Sequence, residues 1–251
     1  MNVRFRRVAL VGLAFAIACA SPHVATAQSA ADGSFQRTLT VSGPVDLDVS
    51  TGSGAITIRS GGSGRIEVRG SIYVRDRFFS LRDAGRVARD VESAPPIEQT
   101  GNRIQIGRME NTTYRDRVSI SYEIVVPANT VVRSRTGSGS QEITGVEGPV
   151  DASTGSGRIR IANVRANVSA NTGSGSIAAE GITGGLHART GSGSITVDGT
   201  PGDRWDLDTG SGSVVVRLPQ QAAFNLDAHT GSGSVTVGHP LTISGRLRGT
   251  K

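Results

Sequence analysis

The tetrapeptide Thr-Gly-Ser-Gly occurs seven times in this chain of 251 residues and constrains its fold more than any other feature. The copies begin at Thr51, Thr136, Thr154, Thr172, Thr190, Thr209 and Thr230. The last six copies are 18, 18, 18, 19 and 21 residues apart. A nearly fixed period of this length is typical of repeat architectures, in which each unit packs against its sequence neighbours.

Each copy lies between two short segments in which apolar and polar residues alternate. The positions four before the Thr, and five and seven after it, are almost always apolar; around Thr172 they are Val168, Ile177 and Ala179. Alternation with a period of two predicts strands that bury one face. Each unit is therefore predicted to be a strand, a Thr-Gly-Ser-Gly corner and a second strand.

Two short strands cannot bury a face by themselves, so the units are expected to stack. Eighteen residues of extended chain reach roughly 60 Å, which is enough for one turn of a narrow β-helix. We therefore predict an all-β fold, a single-stranded β-helix (β-solenoid) of ~18-residue coils. Ile and Val ladders would lie inside, Ser and Thr ladders outside, and the extra residues of the last two units between coils. The handedness stays open.

The first 27 residues have the layout of a secretory signal peptide. Three arginines within residues 4–7 precede an apolar run over residues 8–20, and a small-x-small triplet ends at Ala27. The apolar run is too short to span a bilayer comfortably. This layout predicts cleavage before Gln28 and an exported protein in the periplasm or at the cell surface.

The alternative is a lipid anchor on Cys19, the only cysteine of the chain. Cys19 follows Ala16-Ile17-Ala18, which resembles a bacterial lipobox with Ala16 where Leu is usual. If Cys19 is removed with the signal peptide, the mature chain can form no disulfide and has no thiol chemistry.

The charge of the chain does not favour nucleic acid as a partner. The formal net charge is +6, and it falls to +3 once the three arginines of residues 1–27 are removed. Acidic residues are interleaved with the basic ones, aromatic residues make up only 4%, and no basic run carries stacking aromatics. The small number of aromatic residues also predicts a narrow, aliphatic core, and no later segment is apolar enough to cross a membrane.

The mature chain is predicted to be one domain after a short lead-in. Residues 28–37 form the flexible lead-in and residues 38–251 the β-solenoid domain, with regular repeats over about 131–237. Alternating residues before and after the first corner, as far as Val74, predict an opening coil or two. Leu241, Ile243 and Leu247 are predicted to form a closing strand.

An insertion interrupts the period at about residues 76–117. Apolar residues at helical spacing predict a helix here; they are Leu81, Ala84, Val87, Ala88 and Val91. Ser80 and Asp83 form a plausible capping box, and Pro95-Pro96 ends the helix. Thr100-Gly101-Asn102 lies between two short apolar segments and predicts a hairpin. Residues 118–126 alternate again and predict a strand. A helix and hairpin in this place would protect an exposed sheet edge.

The chain resembles the bacterial DUF4097 family of β-strand-repeat, or candidate adhesin, domains. The resemblance rests on the signal peptide, the short helix, the repeated Thr-Gly-Ser-Gly-Ser-Ile and the segment Val-Ser-Ile-Ser-Tyr-Glu-Ile-Val-Val-Pro-Ala-Asn at 118–129. It covers roughly residues 38–245. It implies an exported, envelope-associated β-solenoid and brings no catalytic motif with it.

The glycine-rich corners are interpreted as architectural. Such loops can bind phosphate through backbone N–H groups, but the Gly-Lys-Ser/Thr of a phosphate-binding loop is absent and no helix follows. A Gly-x-Ser-x-Gly pattern is also absent, so the serines do not form an esterase nucleophile elbow. Seven copies of one loop indicate a structural cause.

Two aspartate pairs are candidates for calcium. Asp46 and Asp48 flank Leu47, Asp206 and Asp208 flank Leu207, and Asp227 follows Leu226. With the apolar residue inward, each pair points outward on one face, where carboxylates can collect Ca²⁺. The nonapeptide of calcium-binding solenoids is absent, so a solvated face is the favoured interpretation and calcium binding the alternative.

The remaining candidate side chains have structural interpretations as well. His187, His229 and His239 do not recur at one offset from the corner, which disfavours a metal site. Trp205 occupies a core position where Leu or Val is usual and is expected to fill a wider coil. Six arginines could contact acidic glycans or lipid headgroups, or serve solubility; they are Arg133, Arg135, Arg158, Arg160, Arg165 and Arg189.

These observations predict a non-enzymatic envelope module, an adhesin or scaffold that presents a polar, repetitive surface. No catalytic, cofactor-binding or metal-binding residue is assigned, and the expected partners are envelope glycans or envelope proteins bound by weak multivalent contacts. The alternative is a periplasmic sensor or partner in envelope-stress signalling. A polysaccharide-active β-helix enzyme is less favoured, because it needs clustered carboxylates or basic residues in neighbouring coils.

Overall fold

The computed structural model describes residues 32–75, 81–109, 117–219 and 226–238, with only the backbone described for 81–83 and 226–238. These residues form seventeen strands, all joined in one hydrogen-bonded sheet, and one α-helix. The predicted all-β class with a short helix is confirmed. The predicted signal peptide, Cys19, His239 and the closing strand at residues 241–247 lie outside the described residues.

The elements follow the sequence pattern except at the predicted flexible lead-in of residues 28–37, which is wrong from Gly33 on because a strand begins there. The first part of the chain contains β1 Gly33–Thr40, β2 Val45–Thr51, β3 Ile56–Gly61, β4 Arg65–Val74, α1 Leu81–Ser93, β5 Ile97–Thr100, β6 Arg103–Ile106 and β7 Val118–Pro127. The array that follows contains β8 Thr130–Thr136, β9 Gln141–Thr144, β10 Val150–Thr154, β11 Ile159–Ala162, β12 Val168–Ser174, β13 Ile177–Ile182, β14 Leu186–Ser192, β15 Ile195–Gly199, β16 Trp205–Arg217 and β17 Leu226–Gly238.

From β8 onward, each strand pairs in parallel with the equivalent strand of the next unit. The first strands form the row β2–β8–β10–β12–β14–β16–β17, and the second strands form the row β3–β9–β11–β13–β15–β16–β17. The long strands β16 and β17 contain the corner and belong to both rows. The register aligns Ile177 with Ile159 on one side and Ile195 on the other. Equivalent residues of successive units therefore lie side by side.

The predicted ladder positions form the core. Val168 and Leu186 in the first-strand row, and Ile177 and Ile195 in the second, are at most 3% exposed. Trp205 continues the first-strand ladder at 1% exposure, and its Nε1–H donates to the Gly184 carbonyl at 3.0 Å. The apolar face of each repeat as far as β16 is thus turned inward, as the alternation predicts.

The corner motif is explained by contacts between adjacent corners. The Thr190 hydroxyl donates to the carbonyl of Gly175 in the preceding corner at 3.0 Å, and Thr154 makes the same bond to Gly139 at 3.1 Å. A Cβ atom on Gly175 would lie only 1.9 Å from the carbonyl oxygen of Gly157, so no larger residue fits there. The corner threonines at 136, 154, 172, 190 and 209 are buried, and they do not join the outer ladders of Ser and Thr that the sequence predicts.

The second unit contains polar groups inside the core. Ser134 stands where later units have Ala or Leu, and Gln141 where they have Ile or Val. Gln141 donates from Nε2 to the Ser153 carbonyl, whereas Ser134 Oγ and Gln141 Oε1 are buried without a hydrogen-bond partner in the described structure. Burying these two atoms without a partner costs free energy, and this destabilises the second unit relative to units with apolar residues at the same positions.

The opening of the chain differs from the predicted coils at β4. β3 stacks in parallel on β9, as a coil does, but β4 runs antiparallel to both β1 and β7. The chain reverses over residues 62–64, where Gly64 has φ +79°, and no corner motif follows to start another coil. The prediction of a coil continuing to Val74 is therefore wrong.

The helix and hairpin cover the beginning of the sheet. Ala84, Val87, Ala88 and Val91 of α1 are buried, as their helical spacing predicts, and Glu92 accepts a hydrogen bond from the Ser34 N–H of β1 at 2.7 Å. The capping box rests on side chains outside the description. The β5–β6 hairpin forms around residues 101–102, and β6 pairs in parallel with β2. The hairpin thus extends the first-strand row and covers the edge of β2.

Candidate functional site

The outward side chains of the first-strand row form the most polar surface of the array, which we call the ladder face. They stand three residues and one residue before each corner threonine. The outer positions of the ladder face are Asp48, Arg133, Asp151, Ser169, His187 and Asp206, together with Ser50, Arg135, Ser153, Asn171, Arg189 and Asp208. Short polar side chains lie at its centre, and charged ones lie towards both ends.

The first aspartate pair is held by arginines of the next strand. Asp46 is hydrogen-bonded to Arg133 and lies 3.8 Å from Arg103, and Asp48 lies 3.2 Å from Arg135. These carboxylates therefore face guanidinium groups from adjacent strands, an environment that opposes a bound cation.

The second aspartate pair has the same arrangement. Asp206 Oδ2 lies 3.2 Å from His187 Nδ1 and 3.9 Å from Arg189, and Arg189 lies 3.9 Å from Asp208. Within the described residues, no three His, Cys, Asp or Glu side chains come close enough together to hold a metal ion. The side chains of Asp227 and His229 are outside the description.

The six arginines named above do not form one patch. Arg133, Arg135 and Arg189 belong to the ladder face, whereas Arg160 lies on the outer face of the second-strand row between Glu142 at 3.8 Å and Glu180 at 2.9 Å. In the same region Arg165 pairs with Glu147 at 3.0 Å, and Arg158 donates to the Ser176 hydroxyl at 3.3 Å. Each of the six contacts an acidic or hydroxyl side chain, so they offer no concentrated positive field.

A row of Ser, His and Asp emerges only from the strand register. Ser169, His187 and Asp206 lie on three successive strands, in the order of a catalytic triad. The Ser169 hydroxyl, however, accepts its hydrogen bond from Asn171 at 3.2 Å, and no bond joins it to His187 in the described structure. The Asp206 side chain is one-third exposed, unlike the buried carboxylate that orients a catalytic histidine. The row therefore lacks two features of a working triad.

Two grooves run across the strands of the ladder face. The larger, which we call the start groove, has a volume of about 800 Å³ and lies along the beginnings of β8 to β16. Val131 and Pro149 supply apolar surface, and Arg133, Asp151 and His187 supply charged or polar groups. Asp203 and Arg204, from the longer connection before β16, add further charges at one end.

The smaller corner groove has a volume of about 550 Å³ and follows the Thr-Gly-Ser-Gly corners. One wall consists of side chains one residue before the corner threonine, and the other of the first corner glycines. These residues are Ser153, Asn171, Arg189 and Asp208 on one wall, and Gly155, Gly173, Gly191 and Gly210 on the other. Equivalent positions line this groove in its three middle units, with Thr136 at one end and Asp208 and Gly210 at the other.

A sequence profile of the family described as Toastrack DUF4097 matches residues 95–249, more than half of the chain. The chain belongs to the Toastrack DUF4097 family. The match covers the whole regular array of this Toastrack protein and the hairpin before it. The resemblance predicted from the corner repeats and from residues 118–129 is thereby confirmed.

Solved structures of three bacterial proteins are similar to this Toastrack chain, at low identity. A candidate cell adhesion protein from Clostridium sporogenes is 10% identical with a TM-score of 0.38, covering 82% of this chain and 100% of that one. A candidate adhesin from Bacteroides fragilis is 14% identical with a TM-score of 0.48, covering 81% and 96%. A candidate lipid-binding protein from Parabacteroides distasonis is 12% identical with a TM-score of 0.36, also covering 81% and 96%. These values indicate neither a ligand nor a function for this Toastrack protein, and no curated protein matches it significantly in sequence.

The grooves are the functional feature that sequence reasoning misses in this Toastrack chain. They arise from the sizes of outward side chains on strands that become neighbours only through stacking. The available signal is the short or polar residue before each corner threonine, such as Ser153 and Asn171, which leaves space beside the exposed corner glycines. Among the described residues, no helix has the length and apolar character needed to span a membrane.

Proposed function

We propose that this Toastrack protein is an exported, non-enzymatic module of the cell envelope, an adhesin or scaffold that binds partners through its ladder face. The observation that carries the proposal is the pair of polar grooves that run along the repeats. Each groove crosses several equivalent strands, and in the corner groove a partner meets a corner glycine and a polar side chain at regular intervals. Weak contacts repeated in this way add up to useful affinity.

The proposal takes the architecture to be a β-solenoid, a single-stranded β-helix of ~18-residue coils in which one chain winds through both rows. The parallel, in-register pairing of each strand with its equivalent in the next unit supports it. The partners proposed are envelope glycans or envelope proteins.

We further propose that the protein acts in the periplasm or at the cell surface. The layout of residues 1–27 supports export, with cleavage before Gln28 or, in the alternative, anchoring on Cys19. The intact mass of the exported protein separates these two routes, because a lipid anchor leaves a diacylated Cys19 at the N-terminus.

The hydrogen bonds and ion pairs of the polar side chains favour binding over catalysis. The carboxylates of the ladder face are paired with arginine or histidine, so they are not positioned as an acid and a base around a substrate. Ser169 is bonded to Asn171, and His187 contacts an exposed carboxylate. The groups present are suited to hydrogen bonding with a partner.

The proposal is tested by measuring binding of the purified protein to envelope glycans and envelope proteins, beside a panel of hydrolase and lyase substrates. We expect saturable binding and no turnover. Removing one unit, residues 163–180, should reduce the affinity only in part, because the remaining units keep their contacts. Saturable turnover that is abolished by Ser169→Ala or Asp206→Asn would show that the protein is an enzyme.

A further inference from the structure

We propose that the corner groove binds a neutral, linear, β-1,4-linked glycan that lies along the stack with about one sugar per repeat. This inference rests on the proposed function, since it names the ligand class and the site of that binding. The glycan inference can fail while the proposed function holds, and the binding experiment distinguishes these outcomes.

The spacing of the groove matches a linear glycan. The groove crosses five successive units, with corner threonines at residues 136, 154, 172, 190 and 209. Hydrogen-bonded strands lie about 4.8 Å apart, so the four steps between these units cover about 19 Å. In an extended β-1,4-linked chain of glucose-type pyranoses, each sugar advances by nearly the same distance. Each sugar therefore lies over one unit of the stack, and every second sugar presents the same edge to the groove.

The walls of the groove supply hydrogen-bonding groups of both kinds. Ser153 and Asn171 offer a hydroxyl and an amide, and Arg189 and Asp208 offer a guanidinium and a carboxylate. Asn171 uses one N–H for Ser169, which leaves its other N–H and its carbonyl oxygen directed to no described residue. Sugar hydroxyl groups both donate and accept, so they complement such a mixed lining.

The opposite wall allows a sugar ring to approach closely. Gly155, Gly173 and Gly191 are exposed and have no side chain, and they follow one another at the strand spacing. A flat, regular surface of exposed backbone results. A branched or bulky side chain at these positions would break that surface at each repeat.

The charge balance favours a neutral chain over a charged one. Arg189 and Asp208 face each other at 3.9 Å and compensate, and Ser153 and Asn171 are uncharged. The groove therefore has no excess charge with which to attract a uronate or phosphate polymer. The start groove differs, because Arg133, Asp151 and Asp203 line it in place of the repeated corner glycines. A ligand with a repeating backbone therefore fits the corner groove, where the corner glycines repeat, better than the start groove.

The test is a titration of the purified protein with oligomers of β-1,4-linked N-acetylglucosamine of increasing length. We expect the Kd to fall by about 10²-fold in total between two and five sugars, because each added sugar engages another unit, and then to level off. Oligomers of β-1,4-linked glucuronic acid of the same lengths serve as the charged comparison, because they share the backbone geometry and differ in charge. A flat dependence on length, or tighter binding of the glucuronic acid oligomers, would overturn the inference.

Two leucine variants of the same unit locate the site. Asn171→Leu removes the amide from the corner groove, whereas Ala178→Leu adds the same side chain to the outer face of β13. We expect Asn171→Leu to weaken binding of the five-sugar chain at least about tenfold and Ala178→Leu to leave it unchanged. Equal affinity in the two variants would contradict the assignment of the groove.

Binding to envelope proteins without any binding to the neutral oligomers would refute this inference and leave the proposed function standing, whereas binding to no envelope component would refute both.

Discussion

At the scale of single residues, the two glycines of one corner have different roles. A Cβ on Gly54 would lie 1.9 Å from the backbone carbonyl oxygen of Ile120, whereas a Cβ on Gly52 would meet nothing within 4 Å. The second glycine of the motif is thus required by the close approach of a neighbouring backbone. The first glycine of the opening corner has no such neighbour and is not required for this reason.

This difference predicts opposite outcomes for the same substitution. Gly54→Ala should lower the free energy of unfolding by about 3 kcal/mol or more, because a backbone carbonyl cannot move aside as a side chain can. Gly52→Ala should change it by less than about 0.5 kcal/mol. Urea denaturation of both variants measures the contrast. A similar loss in both would mean that the corner needs glycine for its backbone conformation and not for close approach.

The inward and outward positions of one strand predict a second contrast. Ile177 is 1% exposed between Ile159 and Ile195, so Ile177→Asp would bury a carboxylate without a partner and should prevent folding. Ser176 is half-exposed and contacts Arg158, so Ser176→Asp places its charge beside a guanidinium and should be tolerated. Thermal melts followed by circular dichroism compare the two. Matching melting temperatures would contradict the assignment of the buried face.

At the scale of strands, the charges of the ladder face decide how adjacent first strands interact. β2 carries Asp46 and Asp48, and β8 carries Arg133 and Arg135. The ion pairs run diagonally, because the register sets Asp48 opposite Arg133 and Ser50 opposite Arg135. Arg135 lies between Asp48 at 3.2 Å and Asp151 of β10 at 3.9 Å. Both groups of the Asp48–Arg135 pair are substantially exposed, so its contribution is modest.

A charge exchange tests this pairing. Arg135→Glu sets a carboxylate between two others and should lower the free energy of unfolding by about 1 kcal/mol at low salt. Adding Asp48→Arg should restore about half of that loss, because an opposite charge again faces position 135. Denaturation at low and high salt checks both changes. If the double variant is no more stable than Arg135→Glu at low salt, the strands do not interact through these side chains.

The sequence predicts the strands of the array but not all of their pairings. The strands of the array follow from alternation, because one face of each is uniformly apolar, and Trp205 could be placed in the core by its position alone. The reversal of β4 could not be predicted, since its alternation suits a parallel or an antiparallel neighbour equally well. The ion pair of Asp46 and Arg133 joins residues 87 apart, and only the stacking of β8 on β2 makes them neighbours.

At the scale of the whole molecule, the length of a unit varies in the connection between its second strand and the next first strand. The spacing from Thr190 to Thr209 is one residue longer than the preceding spacings, and the register places the extra residue in the connection between β15 and β16. Both rows of strands remain aligned around it. The connections can therefore absorb length that the corners cannot.

The same dipeptide inserted at two places tests this difference. Ser-Gly inserted between Gly202 and Asp203, both exposed in a connection, should lower the melting temperature only slightly. Ser-Gly inserted between Gly173 and Ser174, within a corner, should prevent folding or cause a large loss of stability, because Thr172 and Ile177 could no longer both align with their neighbours. Comparable melting temperatures for the two insertions would show that the corners are not held in fixed register.

The stacking of corner glycines also bears on how such a chain can lengthen during evolution. The carbonyl of Gly157 lies where a side chain of Gly175 would be, and Gly175 stands in the same relation to Gly193. A tandem duplication of one whole unit copies both the residue that must be small and the carbonyl that makes it so. The new unit then fits its neighbours at once, whereas gain or loss of part of a unit does not. Toastrack arrays are therefore expected to differ among relatives by whole units, a pattern that can be read from genome sequences alone.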